Sequence, residues 1–305
     1  MNYICDIHNA VIYKDVEKCK LLLQDKNNVS LKTSHNMTPL LYACCGTDNF
    51  EIIKLLVESG ANVNEIDENG DTPLLTLCRV SCDRDRIIYL IENKADIYAK
   101  NNMNNTCLTI ASGNENCTEV TLNYLIEKLY NLNPTEFESF LKIENDNGHN
   151  LFFTACVAGN LNIMTYLMKY NFDINEKNKF GHTCLMSGFY YLQNTNNKFY
   201  TDIKNIIDFV IRNGYNINIV NNHGENILCI VMKGYHNIVQ MCDVCMHTYG
   251  SINLEQIKQS ACENAYITFV YLVEKGAQIK DPCFAVAKYL KFDNIVNFIE
   301  QQINI

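Results

Sequence analysis

DENGDTPLLTLC, residues Asp67–Cys78, sets four polar residues and a glycine ahead of Thr72-Pro73-Leu74, then runs into an apolar segment that ends on a cysteine. Gly70 permits the positive φ of a tight turn, and Thr72 stands where it can cap a following helix. Pro73 falls at the first helical position, where its missing N–H costs nothing. The same wording recurs as Asn36-Met37-Thr38-Pro39-Leu40 and Asn104-Asn105-Thr106-Cys107-Leu108, so that Thr38, Thr72 and Thr106 stand 34 residues apart. Looser copies follow at Gly148-His149-Asn150-Leu151-Phe152, Gly181-His182-Thr183-Cys184-Leu185 and Gly224-Glu225-Asn226-Ile227-Leu228.

After most copies comes a second apolar segment with helical spacing: IIKLLVESGANVN from Ile52, IIYLIENKADIYA from Ile87, IMTYLMKYNFDIN from Ile163 and IIDFVIRNGYNIN from Ile206. Neither helix of a pair is long enough to stand alone, so each pair must bury its apolar face against its neighbours. A period near ~33 residues, with a turn, two short helices and a Gly-Ala exit such as Gly60-Ala61, resembles the ankyrin repeat over almost the whole chain.

That resemblance implies an all-α solenoid of about nine helix-turn-helix units with capping end repeats. Residues 1–305 then read as a single domain, with units near 4–33, 34–66, 67–100, 101–143, 144–177, 178–220, 221–253, 254–280 and 281–305. His8 stands where the family often places a histidine. Two units exceed the period, and the extra residues near 129–141 and 193–202 are expected to form loops on one face.

The chain has 305 residues, 48% of them hydrophobic, which is enough for a continuous core. A net charge of −9 argues against a phosphate-backbone partner, so neither nucleic acid nor an anionic membrane is expected. The start lacks a signal-peptide pattern, and fifteen scattered cysteines read as reduced thiols, which together point to an intracellular, cytoplasmic protein that is monomeric on its own. Abundant Asn, Ile, Lys and Tyr with no Trp resemble coding in an AT-rich genome, such as that of a parasite, protist or large DNA virus. For a viral or pathogen protein the expected compartment is the host cytoplasm.

Cys44, Cys78 and Cys156 each fall six residues beyond the threonine or its replacement, where the family places a helix-packing alanine, and read as small core hydrophobes. The alternative chemistry is a metal- or redox-dependent regulator built on Cys242-Asp243-Val244-Cys245-Met246-His247. A closed zinc site needs four ligands, and the chain offers no second CxxC or HxxxH at suitable spacing. With no nucleophile elbow, P-loop, zincin or dinucleotide motif either, the reading is a non-enzyme with no catalytic residue, metal or cofactor. Asp67, Glu68 and Asp71 read as a solvated turn.

Ankyrin stacks generally bind proteins on the concave side formed by turn tips and inner helices. Carried onto this chain, the implied contacts are Glu68, Asn69, Asp71 and Arg79, then Asn102, Met103, Asn105 and Asn114, then Asp146, Asn147 and His149. Further on they are Lys179, Phe180, His182, Tyr190 and Tyr191, followed by Asn222, His223, Glu225 and Lys233. The aromatic members make Phe180, His182, Tyr190 and Tyr191 the expected centre, since aromatic side chains anchor interfaces at small entropic cost. The implied function is a scaffold that binds an unidentified protein, more narrowly a host-directed viral or pathogen protein.

Overall fold

A computed structural model describes residues 5–46, 49–191, 202–249 and 253–303 of the protein. Among them are seventeen α-helices and no strand, only the isolated bridge between Lys100 and Thr106. The chain divides into two compact units, Met1–Leu151 and Phe152–Ile305.

Unit 1 stacks α1 (Asp6–Ile12), α2 (Val16–Leu22), α3 (Pro39–Cys45), α4 (Phe50–Glu58), α5 (Pro73–Val80), α6 (Arg84–Glu92), α7 (Cys107–Ser112), α8 (Glu119–Leu132) and α9 (Phe137–Leu141). The first helices of successive pairs lie side by side, α1 on α3, α3 on α5 and α5 on α7. Each starts as its sequence dictates. Thr38, Thr72 and Thr106 accept the N–H of Leu41, Leu75 and Thr109 at 3.2–3.3 Å, and Pro39 and Pro73 open their helices. Gly70 takes φ +75°, and a Cβ there would stand 2.9 Å from the backbone nitrogen of Asn102. The matching positions 36 and 104 carry asparagine, among the side chains that best tolerate this conformation.

The expected loop at 129–141 is helical instead. It lengthens α8 to 14 residues and adds α9, whose Phe140 and Leu141 are buried. Phe140 meets Tyr98 edge-on at 5.3 Å, so the apolar residues of the insertion are anchored in the stack. Its counterpart at 193–202 falls almost wholly outside the described residues.

Unit 2 contains α10 (Leu151–Ala158), α11 (Leu161–Leu167), α12 (Cys184–Tyr190), α13 (Ile203–Arg212), α14 (Ile227–Tyr249), α15 (Asn253–Glu274), α16 (Asp281–Tyr289) and α17 (Asp293–Ile303). Here the helix-turn-helix pairs expected near 221–253 and 254–280 are each replaced by one long helix, and α14 and α15 pair with each other. Tyr235 supplies a reason: it is 1% exposed, and its hydroxyl meets Thr268 Oγ1 at 3.2 Å, pinning α14 to α15 where a turn was expected.

Within each unit an asparagine of one pair clamps the backbone of the next. Asn64 donates to Lys94 O at 3.0 Å and accepts from Asp96 N at 2.7 Å. Asn175 does the same with Gly214 O and Asn216 N, and Asn218 with Gly276 O and Gln278 N. Cys44, Cys78 and Cys156 are fully buried, and burial raises the Cys44 and Cys78 thiols above their ordinary range.

Candidate partner-binding surface

Five of the turns are each organised by one side chain. Asp67, Asn101, Asn145, Asn178 and Asn221 each use their carbonyl or carboxylate oxygen to accept the backbone N–H groups two and four residues on, at 2.8–3.1 Å. The backbone N–H of the same residue donates to the carbonyl four residues on in all five turns. These doubly closed turns hold the tip residues in a fixed register without help from a partner.

The closure turns the fifth residue of each turn inward. Asp71 is 5% exposed and accepts from Arg79 Nε at 3.0 Å, Arg79 Nη2 at 2.7 Å and Asn101 Nδ2 at 2.8 Å. The reading of Asp71 as part of a solvated cluster is therefore corrected, because a guanidinium fork and an amide replace its water. Asn105 accepts from Asn145 Nδ2 at 2.9 Å, and His182 Nε2 faces Asn221 Nδ2 at 3.2 Å. Glu225 pairs with Lys233 and Asn221. Burial alone would raise its carboxyl, but those two partners outweigh burial and hold it below its ordinary value. His149 and Asn114 are buried too, and Asn114 donates to Cys78 O and Arg79 O at 2.8 Å. Much of the expected contact set thus serves the ladder between turns.

What projects outward is the second and third residue of each turn. In unit 1 these include Glu68, Asn69, Asn102 and Met103, the last 50% exposed, with Asp146 exposed and Asn147 half-buried. Backbone bonds from Asn102 to Asn69 O and from Asp146 to Met103 O, at 2.9 and 3.0 Å, tie successive tips together. Arg79 is half exposed while paired to Asp71. The unit 2 tips expose Lys179, Phe180 (53%), Asn222 and His223. Tyr190, 47% exposed, stands edge-on to His182 at 5.1 Å and to the half-buried Tyr191 at 5.3 Å. The structure therefore brings His182, Tyr190 and Tyr191 together, with His182 as the buried floor of the group.

The column of Asp and Asn five residues before Thr72, Thr106, Asn150, Thr183 and Asn226 was visible in the sequence, at 67, 101, 145, 178 and 221. Its inward partners were not, because a turn carboxylate looks solvated until the arginine eight residues on is folded over it.

On α14, Cys242 is buried, while the side chains of Cys245 and His247 lie outside the described residues. No group of three or more His, Cys, Asp or Glu placed to hold a metal occurs among the described residues. No helix among them is long and apolar enough to cross a membrane.

A family model described as "Ankyrin repeats (3 copies)" matches residues 7–101 and 49–136. An ankyrin repeat protein of Acanthamoeba polyphaga mimivirus is 27% identical over 209 residues, covering 66% of this chain and 46% of the relative. The chain thus spans about half the length of the curated relative it matches. Among solved structures, the ankyrin repeat domain of Bcl-3, described as a unique member of the IkappaB protein family, aligns with a TM-score of 0.53 at 18% identity. That alignment covers 75% of this chain and 95% of the domain, and at this identity it speaks for the fold alone.

Proposed function

We propose, on the premise that this chain belongs to the ankyrin-repeat family, that it is a non-enzymatic scaffold holding a partner protein on the exposed turn residues of unit 2. The observation that carries this reading is the division of labour within the turns. The ladder already satisfies the inward polar side chains, yet Phe180 and Tyr190 remain about half exposed on top of it. Large aromatic groups on a rigid, internally satisfied support lose little entropy when a partner covers them. Lys179, His223 and Tyr191 flank them as polar or amphipathic contacts, and Glu68, Asn69, Met103 and Arg79 offer a second surface on unit 1.

The mimivirus relative and the Asn- and Ile-rich composition support a narrower reading, a viral or pathogen protein directed at host proteins. The test is capture of partners from host extract by the full chain and by the double variant Phe180→Ala, Tyr190→Ala. Both side chains project outward, so helical content and melting should be unchanged while the specific partner is lost. Retention of every captured protein by the double variant would show that the patch is misplaced.

A further inference from the structure

We propose that Cys229 and Cys283 are a dithiol which a low-molecular-weight disulfide oxidises to an internal disulfide, tying α16 to α14. Their sulfurs stand 3.4 Å apart, and both residues are fully buried. A disulfide bond is about 2.05 Å long, so the two sulfurs have little more than an ångström to close. Asn226 Oδ1 lies 3.4 Å from Cys283 Sγ and accepts the N–H groups of Leu228 and Cys229, which holds the two thiols in a common frame.

The pair is chemically unequal. Cys283 lies in the first turn of α16, at the positive end of the helix dipole, which favours an anion. Its contact with Cys229 and its backbone hydrogen bonds hold the Cys283 thiol below its ordinary value against the opposing effect of burial. The Cys229 thiol is pushed up by the same contact and by burial. Cys283 is therefore the attacking sulfur and Cys229 the resolving one.

In the first step Cys283 gives its proton to solvent, and its thiolate attacks one sulfur of the small disulfide. The bond between the two small sulfurs breaks, one half leaves as a thiolate that takes up a proton, and a mixed disulfide remains on Cys283. Cys229 then loses its proton and attacks the Cys283 sulfur, expelling the second half as a thiol. Two protein thiols are oxidised, and one small disulfide is reduced to two thiols. Both sulfurs are covered in the folded unit, so the first step waits on local opening of the α16–α17 pair, and redocking brings Cys229 onto the mixed disulfide.

The experiment holds the full-length chain, folded, in buffers of increasing oxidised-to-reduced glutathione ratio, then quenches with an alkylating reagent and maps the peptides. The expected result is a Cys229–Cys283 linked peptide, with a melting temperature raised by about 5–10 °C because the closed loop is long. Cys283→Ser should abolish both changes, and hydrogen exchange in α16 should slow on oxidation of the unmodified chain only. Recovery of both residues as separately alkylated peptides at every ratio overturns the proposal. So does preferential linkage of Cys156 to Cys184 or of Cys82 to Cys117, two further thiol pairs in contact among the described residues. Peptide mapping of the unmodified chain decides the matter even if the serine variant fails to fold.

Discussion

Asn221 commits His182 to the neutral form. Its Oδ1 is occupied by the N–H groups of His223 and Glu225, so the amide cannot flip, and its Nδ2 must donate to His182 Nε2. A protonated imidazole would present an N–H to that N–H. Burial lowers the His182 pKa, and the nearby Glu225 carboxylate opposes this only in part. A folded pKa below the unfolded value near 6.5 means that the unfolded chain binds the proton more readily. The stabilisation is full above about pH 6.5 and is lost as pH falls through the folded value. Urea midpoints should therefore fall between about pH 7.5 and pH 5. His182→Asn should flatten that fall while changing neutral-pH stability by less than about 1 kcal/mol, because an asparagine already fills the equivalent place at Asn105 and accepts there from Asn145. His8, also depressed by burial, leaves a residual slope that the variant does not remove. An unchanged slope in His182→Asn would place the titration elsewhere. The turn's outer residues were legible in the sequence by their offset from the glycine. The inward aim of Asp71, His182 and Glu225 was not, since it depends on partners in the next turn or at the end of the following helix.

At the scale of elements, the asparagine clamp explains why the insertion in unit 1 folds inward. Residues 64 and 98 share a register, but Tyr98 replaces the clamping amide and its buried hydroxyl has no hydrogen-bond partner. The missing clamp is offset by ring packing, with Phe140 of α9 edge-on to Tyr98 at 5.3 Å. Repeat spacing located the extra residues correctly. It could not say that they would pack, because the compensating Tyr98 lies in the preceding unit and looks like ordinary drift. Phe140→Ala should cost about 3 kcal/mol, since Phe140 is a buried aromatic whose loss leaves a cavity. A double-mutant cycle between Phe140→Ala and Tyr98→Ala, read by chemical denaturation, should give a coupling of about 1 kcal/mol. Additive effects would mean that α9 docks independently of Tyr98.

At the scale of the whole molecule, the core within each unit is built between neighbouring helices, and the stability of such stacks depends on each interface in turn. Period and capping residues made that architecture readable, because each repeat states its own turn and helix starts. The two long helices of unit 2 escaped, since Gly234 stands where a helix break is usual yet stays helical under the close approach of α12. A Cβ on Gly234 would lie 2.2 Å from Phe189 O, a backbone atom that cannot step aside as a flexible side chain would. Gly234→Ala should therefore force α14 away from α12 despite the better helix propensity of alanine, which alone would favour the variant by about 1 kcal/mol. Because contacts pass only between neighbours, the damage should be confined to one side of that interface. Hydrogen exchange should show α14 and α15 losing protection together while α10 and α11 keep theirs. A uniform loss of protection throughout unit 2 would show that the unit folds as one cooperative block, and unchanged protection would show that α14 can shift along α12 without cost.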